Sequence, residues 1–329
     1  MSARLRYGAI AVALALLITL PLWVGNSYYI NIASQILLFA VFALSLNVLV
    51  GYGGLVSLGH AGLFAVAGYS SALLLQAGFD HLVADSAAIL ITLAASAVFA
   101  ALALRSTGIG FLMITLALGQ IVWGVAYRWA SLTNGDNGVP VSTRPAPFGI
   151  SLASAPSFYF ATLLIFLLAL LSMAVFVRSP FGASVRGTRD QARRMTALGY
   201  NVWLIRFVAI VFSGFWTGVS GLLFIYYNQF VSPQVAQLTS SAEVLLMVIS
   251  GGTATLFGPI VGAAIVVIMK NVVSAYIERW NLVLGVIFVV IITFMPEGLV
   301  PGSVRLARWL WQATRFGAPA ARPSGEIKP

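Results

Sequence analysis

The sequence predicts an all-α, polytopic membrane protein with about ten membrane segments, some short or discontinuous. Three observations predict it. Of 329 residues, 60% are hydrophobic and 8% charged, with a mean hydropathy of +0.99, whereas a soluble domain is about a quarter charged. Long runs lack any charge. Lys and Arg gather in the segments between alternate runs. So little polar surface argues against a soluble enzyme or a nucleic-acid-binding domain, despite a net charge of +10. With no Cys, disulfides, thiolate metal sites and a Cys nucleophile are absent.

No Asp, Glu, Lys or Arg occurs from Tyr7 to Phe79. A spanning helix takes about 20 apolar residues, so this stretch is read as three spans near Tyr7–Gly25, Tyr28–Val50 and Ser57–Ala77. Arg4 and Arg6 before the first run fit a secretory leader. Yet the segment from Pro21 to Tyr29 has no small-x-small cleavage pattern, and the first span is read as retained. Further uncharged runs are Ser86–Leu104, Ser106–Tyr127, Pro145–Val177, Phe207–Ala242, Val244–Met269 and Trp280–Pro296.

Positive residues orient the chain. Arg4 and Arg6 place the N-terminus in the cytoplasm. A loop with Asp80 and Asp85 falls outside, Arg105 inside, and Ser131–Pro156 outside. Arg178, Arg186, Arg189, Arg193, Arg194 and Arg206 mark a long cytoplasmic loop, and Arg305, Arg308, Arg315, Arg322 and Lys328 a cytoplasmic tail. The topology puts 14 of the 18 basic residues on that side. The +10 is therefore an orientation signal and a docking surface that also meets anionic lipid. The membrane domain is assigned to 1–302 and a flexible basic tail to 303–329.

An even number of spans must separate two cytoplasmic segments, yet whole runs after Arg206 give an odd number. Breaking the middle run at Gly251–Pro259 restores parity, because Gly and Pro interrupt helices. The expected halves are Ser241–Ser250 and Pro259–Ile277. Irregular backbone at membrane depth is tolerated only inside protein or beside a wet cavity, which makes the break a pathway candidate. The bland alternative is a Gly-rich packing surface. Gly53-Gly54-Leu55-Val56-Ser57-Leu58 has the same form as Gly251-Gly252-Thr253-Ala254-Thr255-Leu256, and transporters often repeat such interrupted segments.

The acids avoid the spans except Glu243, which opens an apolar run and could pair with Lys270 or attract a substrate ammonium. His60 is the one histidine within an apolar stretch. Few parts are present for proton coupling, and there is neither a P-loop nor a His-Glu-x-x-His pattern. Energy for active transport must then come from another polypeptide, docked on the arginine loop. A helix is expected from Thr188 to Leu198, with Ala192, Met195 and Leu198 as its apolar edge and Gly199 as a left-handed cap.

Several motifs resemble the permease subunits of branched-chain amino acid ABC importers, of the LivM type. They include Gly51-Tyr52-Gly53-Gly54 leading to Ser57-Leu58-Gly59-His60, Arg105 to Leu116, Leu132 to Gly138, Ser179-Pro180-Phe181-Gly182, Leu198-Gly199-Tyr200-Asn201, Val231-Ser232-Pro233, Ser241-Ala242-Glu243, Leu256 to Ala263, and Pro296-Glu297-Gly298. The resemblance covers about Ala43 to Gly302. It implies a non-enzymatic permease in the bacterial inner membrane that moves branched-chain or related hydrophobic amino acids. The implied partners are a second homologous permease, two cytoplasmic ATPases and an extracytoplasmic binding protein, with no cofactor. A coupling segment is implied at about 178–203, carried by Arg189, Asp190, Ala192, Arg193, Leu198 and Gly199. The expected pathway residues are Ser57, Gly59, His60, Gly251, Gly252 and Thr253, although hydrogen bonding between helices is the plainer use of Ser57, His60 and Thr253. Gly110, Asn134 and the run Ser250–Thr255 depart from the usual pattern. The same architecture moving urea or short amides stays open, as does a stand-alone carrier or channel.

Overall fold

The computed structural model describes residues 15–141, 144–146, 151–277, 279–295, 297–303 and 305. Arg4, Arg6 and all of the predicted tail except 303 and 305 lie outside them. Residues 15–23 are helical, and Tyr159 Oη donates to Leu17 O at 2.7 Å, tying that helix to the distant helix Ala155–Arg178. The helices that follow are α1 (Ser27–Asn47), α2 (His60–Gln76), α3 (His81–Ala103), α4 (Ile109–Arg128), α5 (Ala155–Arg178), α6 (Pro180–Ala197), α7 (Val202–Asn228), α8 (Leu238–Gly251), α9 (Gly258–Val272) and α10 (Trp280–Phe294). A π-helical turn, Val48–Gly53, prolongs α1. Strands β1 (Val139–Pro140) and β2 (Phe230–Val231) form a short antiparallel ribbon, the only sheet among the described residues.

Six of the helical segments are long and apolar enough to cross a membrane. Their uniform hydrophobicity gives them no polar face, as expected where lipid replaces water. Leu90, Val98, Met113, Ile121, Leu164, Leu168, Leu171 and Val175 are exposed on α3, α4 and α5. Contiguous apolar surface of this kind would be a liability in water. In a bilayer it is the lipid face.

Helix α1 is the hub, touched by α5, α7, α8 and α9. Its buried face carries Leu37, Leu38, Val41, Phe42, Leu44 and Leu46. Small residues let neighbours approach closely. A Cβ on Gly221 of α7 would lie 2.5 Å from the Phe64 carbonyl oxygen, and one on Gly262 of α9 would lie 1.8 Å from that of Met247. Hydroxyls satisfy themselves or their neighbours: Ser220 Oγ donates to Leu38 O at 2.7 Å, and Thr92 Oγ1 to Ala88 O at 2.7 Å.

The two ends of α1 show which way α9 runs. Near one end Asn271 Nδ2 donates to Gln35 Oε1 at 2.7 Å. Near the other, Asn47 Nδ2 donates to Thr255 O at 2.8 Å. Helix α9 is therefore antiparallel to α1. Helices α8 and α9 also form an antiparallel hairpin, with Gly251 against Gly258 at the turn and Glu243 beside Lys270 at the open end. With 14 residues, α8 reaches about 21 Å, short of a hydrocarbon core of about 30 Å, whereas α9 runs on through a 3-10 turn to Ala275 and is one of the six long segments. The expected interruption of the run 244–269 is present, between Gly251 and Gly258.

Two placements differ from the sequence expectation. In Arg178–Arg206 the helix expected at Thr188–Leu198 is present but begins earlier, at Pro180, so the segment is helical over most of its length. Ser179 caps α6 by accepting from Gly182 N at 3.1 Å, Pro180 supplies a preset φ at the first turn, and Arg206 already lies inside α7. Charge counting locates a segment outside lipid but does not separate helix from loop. Asp85 likewise belongs to α3 rather than to the preceding loop. Its carboxylate accepts from Ser71 Oγ at 2.7 Å and Tyr226 Oη at 2.8 Å, which lets a carboxylate enter an apolar helix.

Candidate functional site

Two interruptions of the helical backbone lie in the described structure at places of matching sequence. The first runs from Gly54 to Gly59, between the π-turn after α1 and the start of α2. The second runs from Gly252 to Phe257, between α8 and α9. Each opens on a glycine of positive φ, +66° at Gly54 and +119° at Gly252, a region that side chains with a Cβ rarely adopt.

Asn47 joins the two. Its Nδ2 donates to Thr255 O at 2.8 Å, and its Oδ1 accepts from Ala254 N at 3.1 Å. One amide thus pairs a carbonyl and an N–H of the second interruption. Contact is close enough that a Cβ on Gly51 would lie 2.4 Å from Ala254 N. Within the second interruption Thr255 Oγ1 donates to Gly252 O at 2.8 Å and accepts from Gly258 N at 3.0 Å, capping α9.

Hydroxyls stitch the first interruption. Thr115 Oγ1 accepts from Leu58 N at 3.2 Å, Ser57 Oγ from Gly59 N at 3.3 Å, and Ser241 Oγ from Ala61 N at 3.3 Å. These are orphan donors at and before a helix start. His60 is 2% exposed, and both its ring nitrogens have partners. Ser213 Oγ donates to Ser45 O at 2.6 Å, so its proton is committed and it accepts from His60 Nε2–H at 3.0 Å. Nδ1 is then the bare nitrogen and accepts from Ser57 Oγ at 2.9 Å. The network assigns a neutral imidazole protonated on Nε2.

Of the expected pathway residues, Ser57, Gly59 and His60 sit together in this hydroxyl network. Gly251, Gly252 and Thr253 lie apart from it, in the second interruption, where a Cβ on Gly252 would meet Pro301 Cδ at 2.6 Å. Asn47, an amide in an apolar run that reads from the sequence as an interhelical hydrogen-bonder, completes the site with Gly51, Ser213 and Thr255, which were not among the expected pathway residues. Their signal in the sequence is faint, because each partner is far away along the chain.

Helix α6 reaches the same place from outside the membrane core. It bends at Gln191 (φ −152°, ψ 88°), which folds Met195 over Gly187, where an added Cβ would meet Met195 Sδ at 2.7 Å. The expected single apolar edge is therefore split: Met195 turns inward, and Leu198 stands 65% exposed. Asp190, Arg193 and Arg194 are exposed. Arg189 is exposed too, but its guanidinium donates to the carbonyl of Gly51 in the π-turn. The end of α6 is a Schellman cap, with Gly199 N donating to Thr196 O at 3.0 Å and Tyr200 N to Met195 O at 3.1 Å. Gly199 takes φ +86°, as its expected cap role requires. Asn201 then caps α7 by accepting from Leu204 N at 3.0 Å.

A family described as branched-chain amino acid transport system / permease component matches residues 28–293. The high-affinity branched-chain amino acid transport system permease protein LivM of Salmonella typhimurium is 28% identical over 296 residues, covering 83% of this chain and 70% of that protein. The protein of the same description from Escherichia coli K12 is likewise 28% identical over 296 residues, with the same coverage. No solved structure matches.

Proposed function

The chain belongs to the branched-chain amino acid transport system permease family, and from that premise we propose that it is one membrane subunit of an ATP-driven importer of branched-chain or related hydrophobic amino acids. A second, homologous permease completes the membrane part. Two cytoplasmic ATPase subunits drive it, and an extracytoplasmic binding protein delivers substrate. Both termini are cytoplasmic in the inner membrane, with about ten membrane segments, counting the hairpin α8–α9 as two.

The observation that carries this reading is the contact of α6 with the π-turn that leads into the first interruption. The exposed side of α6, with Asp190, Arg193, Arg194 and Leu198, is the ATPase dock, and Ala192 and Gly199 shape it. Its other side holds Gly51 through Arg189. A push on α6 thereby moves the π-turn. Asn47, one helical turn before Gly51, carries that movement to the second interruption at Ala254 and Thr255. Ser57, Gly59, His60, Gly251, Gly252 and Thr253 flank the pathway that opens and closes as the two interruptions shift. Two discrete arrangements of a packed element are what such coupling needs.

The test is uptake of radiolabelled L-leucine by cells carrying the whole system. Deleting 189–198 abolishes ATP-stimulated uptake and leaves membrane insertion intact. Uptake that persists without any ATPase subunit overturns the reading in favour of a stand-alone carrier.

A further inference from the structure

Away from the two interruptions, a cavity of about 200 Å³ opens between α1, α2, α7, α8, α9 and the turn at Pro233–Ala236. It is smaller than the roughly 300–1,000 Å³ typical of drug-sized sites, so its occupant is small. One wall is aromatic. Phe42 stacks on Phe64 with ring centroids 4.5 Å apart, Phe64 meets Phe224 edge-on at 5.2 Å, and Phe39 meets Phe224 at 6.2 Å. Opposite charges also line it: Glu243 on α8 and Lys270 on α9, with Oε2 and Nζ 3.4 Å apart. Both remain partly accessible, at 24% and 41%.

We propose that this cavity binds one aliphatic amino acid as its zwitterion, with Glu243 taking the α-ammonium, Lys270 the α-carboxylate and the four phenylalanines the branched side chain. The site rests on the function proposed above and names where this subunit holds that substrate. Charge complementarity argues for a zwitterion. An acid and a base side by side present one partner for each pole of an amino acid, and neither charge is left alone once substrate enters between them. The cluster of four phenylalanines argues for an aliphatic side chain on that side of the cavity, while Ser232, Gln234 and Ser240 line it together with the ion pair. Geometry ties the site to the machinery. Phe64 lies one turn beyond His60 on α2, Ser241 of α8 caps the start of α2, and Glu243 and Lys270 stand at the open end of the hairpin whose turn is the second interruption. A shift of that hairpin changes the Glu243–Lys270 spacing and with it the hold on substrate.

The natural absence of Cys supplies a clean assay. Ser240 lines the cavity, and Ser240→Cys in the full chain, assembled with its partners, is labelled with a maleimide. L-Leucine slows this labelling. Isoamylamine, lacking the carboxylate, and isocaproate, lacking the ammonium, protect about ten-fold less well, the factor that one lost charged hydrogen bond sets. Labelling of Thr107→Cys, at the opposite end of the helices, is unaffected by any of the three. In a Lys270→Gln background leucine protects no better than isoamylamine. In a Glu243→Gln background it protects no better than isocaproate. A merely structural ion pair would not produce that crossed pattern. Equal protection by all three compounds, or protection by none, overturns the site. Leucine uptake by cells carrying the unmodified system separates the two readings: uptake without protection defeats this site alone, whereas absent uptake defeats the proposed function.

Discussion

The Arg189 guanidinium donates to the main-chain carbonyl of Gly51 across 138 residues of sequence. It is the point where a surface helix grips an irregular turn of the buried hub helix. A hydrogen bond from a charged donor contributes about 1.5–3 kcal/mol. Arg189→Ala is therefore expected to lower leucine uptake at least about ten-fold, since about 1.4 kcal/mol is a factor of ten, with the protein still inserted and folded. Arg189→Lys restores only part of the activity, because an ammonium lacks the planar fork of donors. Uptake in whole cells, normalised to membrane abundance, decides it, and wild-type uptake by Arg189→Ala defeats the linkage.

Asn47 is the only side chain described that bonds both Ala254 N and Thr255 O. Asn47→Ala removes both hydrogen bonds, at about 0.5–1.5 kcal/mol each. The melting temperature of the detergent-solubilised protein should fall clearly. Asn47→Asp keeps the acceptor for Ala254 and loses the donor to Thr255, so its melting temperature should also lie below that of the wild type. An unchanged melting temperature in Asn47→Ala would show that the interruption is held by other means.

Gly51 has no room for a methyl group. A Cβ would lie 2.2 Å from Asn47 Oδ1 and 2.4 Å from Ala254 N. Overpacking of this kind costs about 1–3 kcal/mol or more, and here the obstacle includes backbone. Gly51→Ala is expected to lose both stability and uptake, whereas Gly124→Ala, in open space on α4, retains both. Equal behaviour of the two variants would refute the close contact.

His60 should be a neutral imidazole protonated on Nε2, because Ser213 spends its own proton on Ser45 O. Side-chain ¹⁵N shifts of labelled protein distinguish the two tautomers. His81→Gln removes the other histidine, leaving one signal. Ser213→Ala takes away the acceptor and should shift it. A resonance typical of Nδ1–H, or of imidazolium, contradicts the network.

Gly199 stands at φ +86° with nothing within 4 Å of an added Cβ. The cost of Gly199→Ala is therefore conformational rather than steric, about 1 kcal/mol. Gly199→Asn should cost less, because Asn tolerates the left-handed region. Stimulation of ATP hydrolysis by substrate should fall in the order glycine, asparagine, alanine. An alanine variant that is stimulated as well as wild type removes the cap from the coupling role.

The outline of the fold was legible because lipid imposes it locally. A run of apolar residues about 20 long must be a helix when no water is present to satisfy the backbone. Gly251–Pro259 announced its break through residues that cannot continue a helix, and Gly199 announced a cap through its place after Leu198. Those signals need no distant partner. The basic segment around α6 was legible as charge, as a helix and as a capped end, but its start and its bend were not. Nothing local told that Gln191 would bend α6, or that Arg189 would bond the Gly51 carbonyl.

By itself, then, the sequence determined an all-helical membrane chain, its interrupted hairpin and its basic flank. Only the tertiary structure decided which polar groups meet: His60 with Ser213, Asn47 with Ala254 and Thr255, Glu243 with Lys270, Arg189 with Gly51. The physical reason is one of range. Backbone satisfaction and hydropathy act within a turn or a span, so they are written in neighbouring residues. A buried polar pair depends on which helices the packing brings together, and its members stand 27 to 208 positions apart.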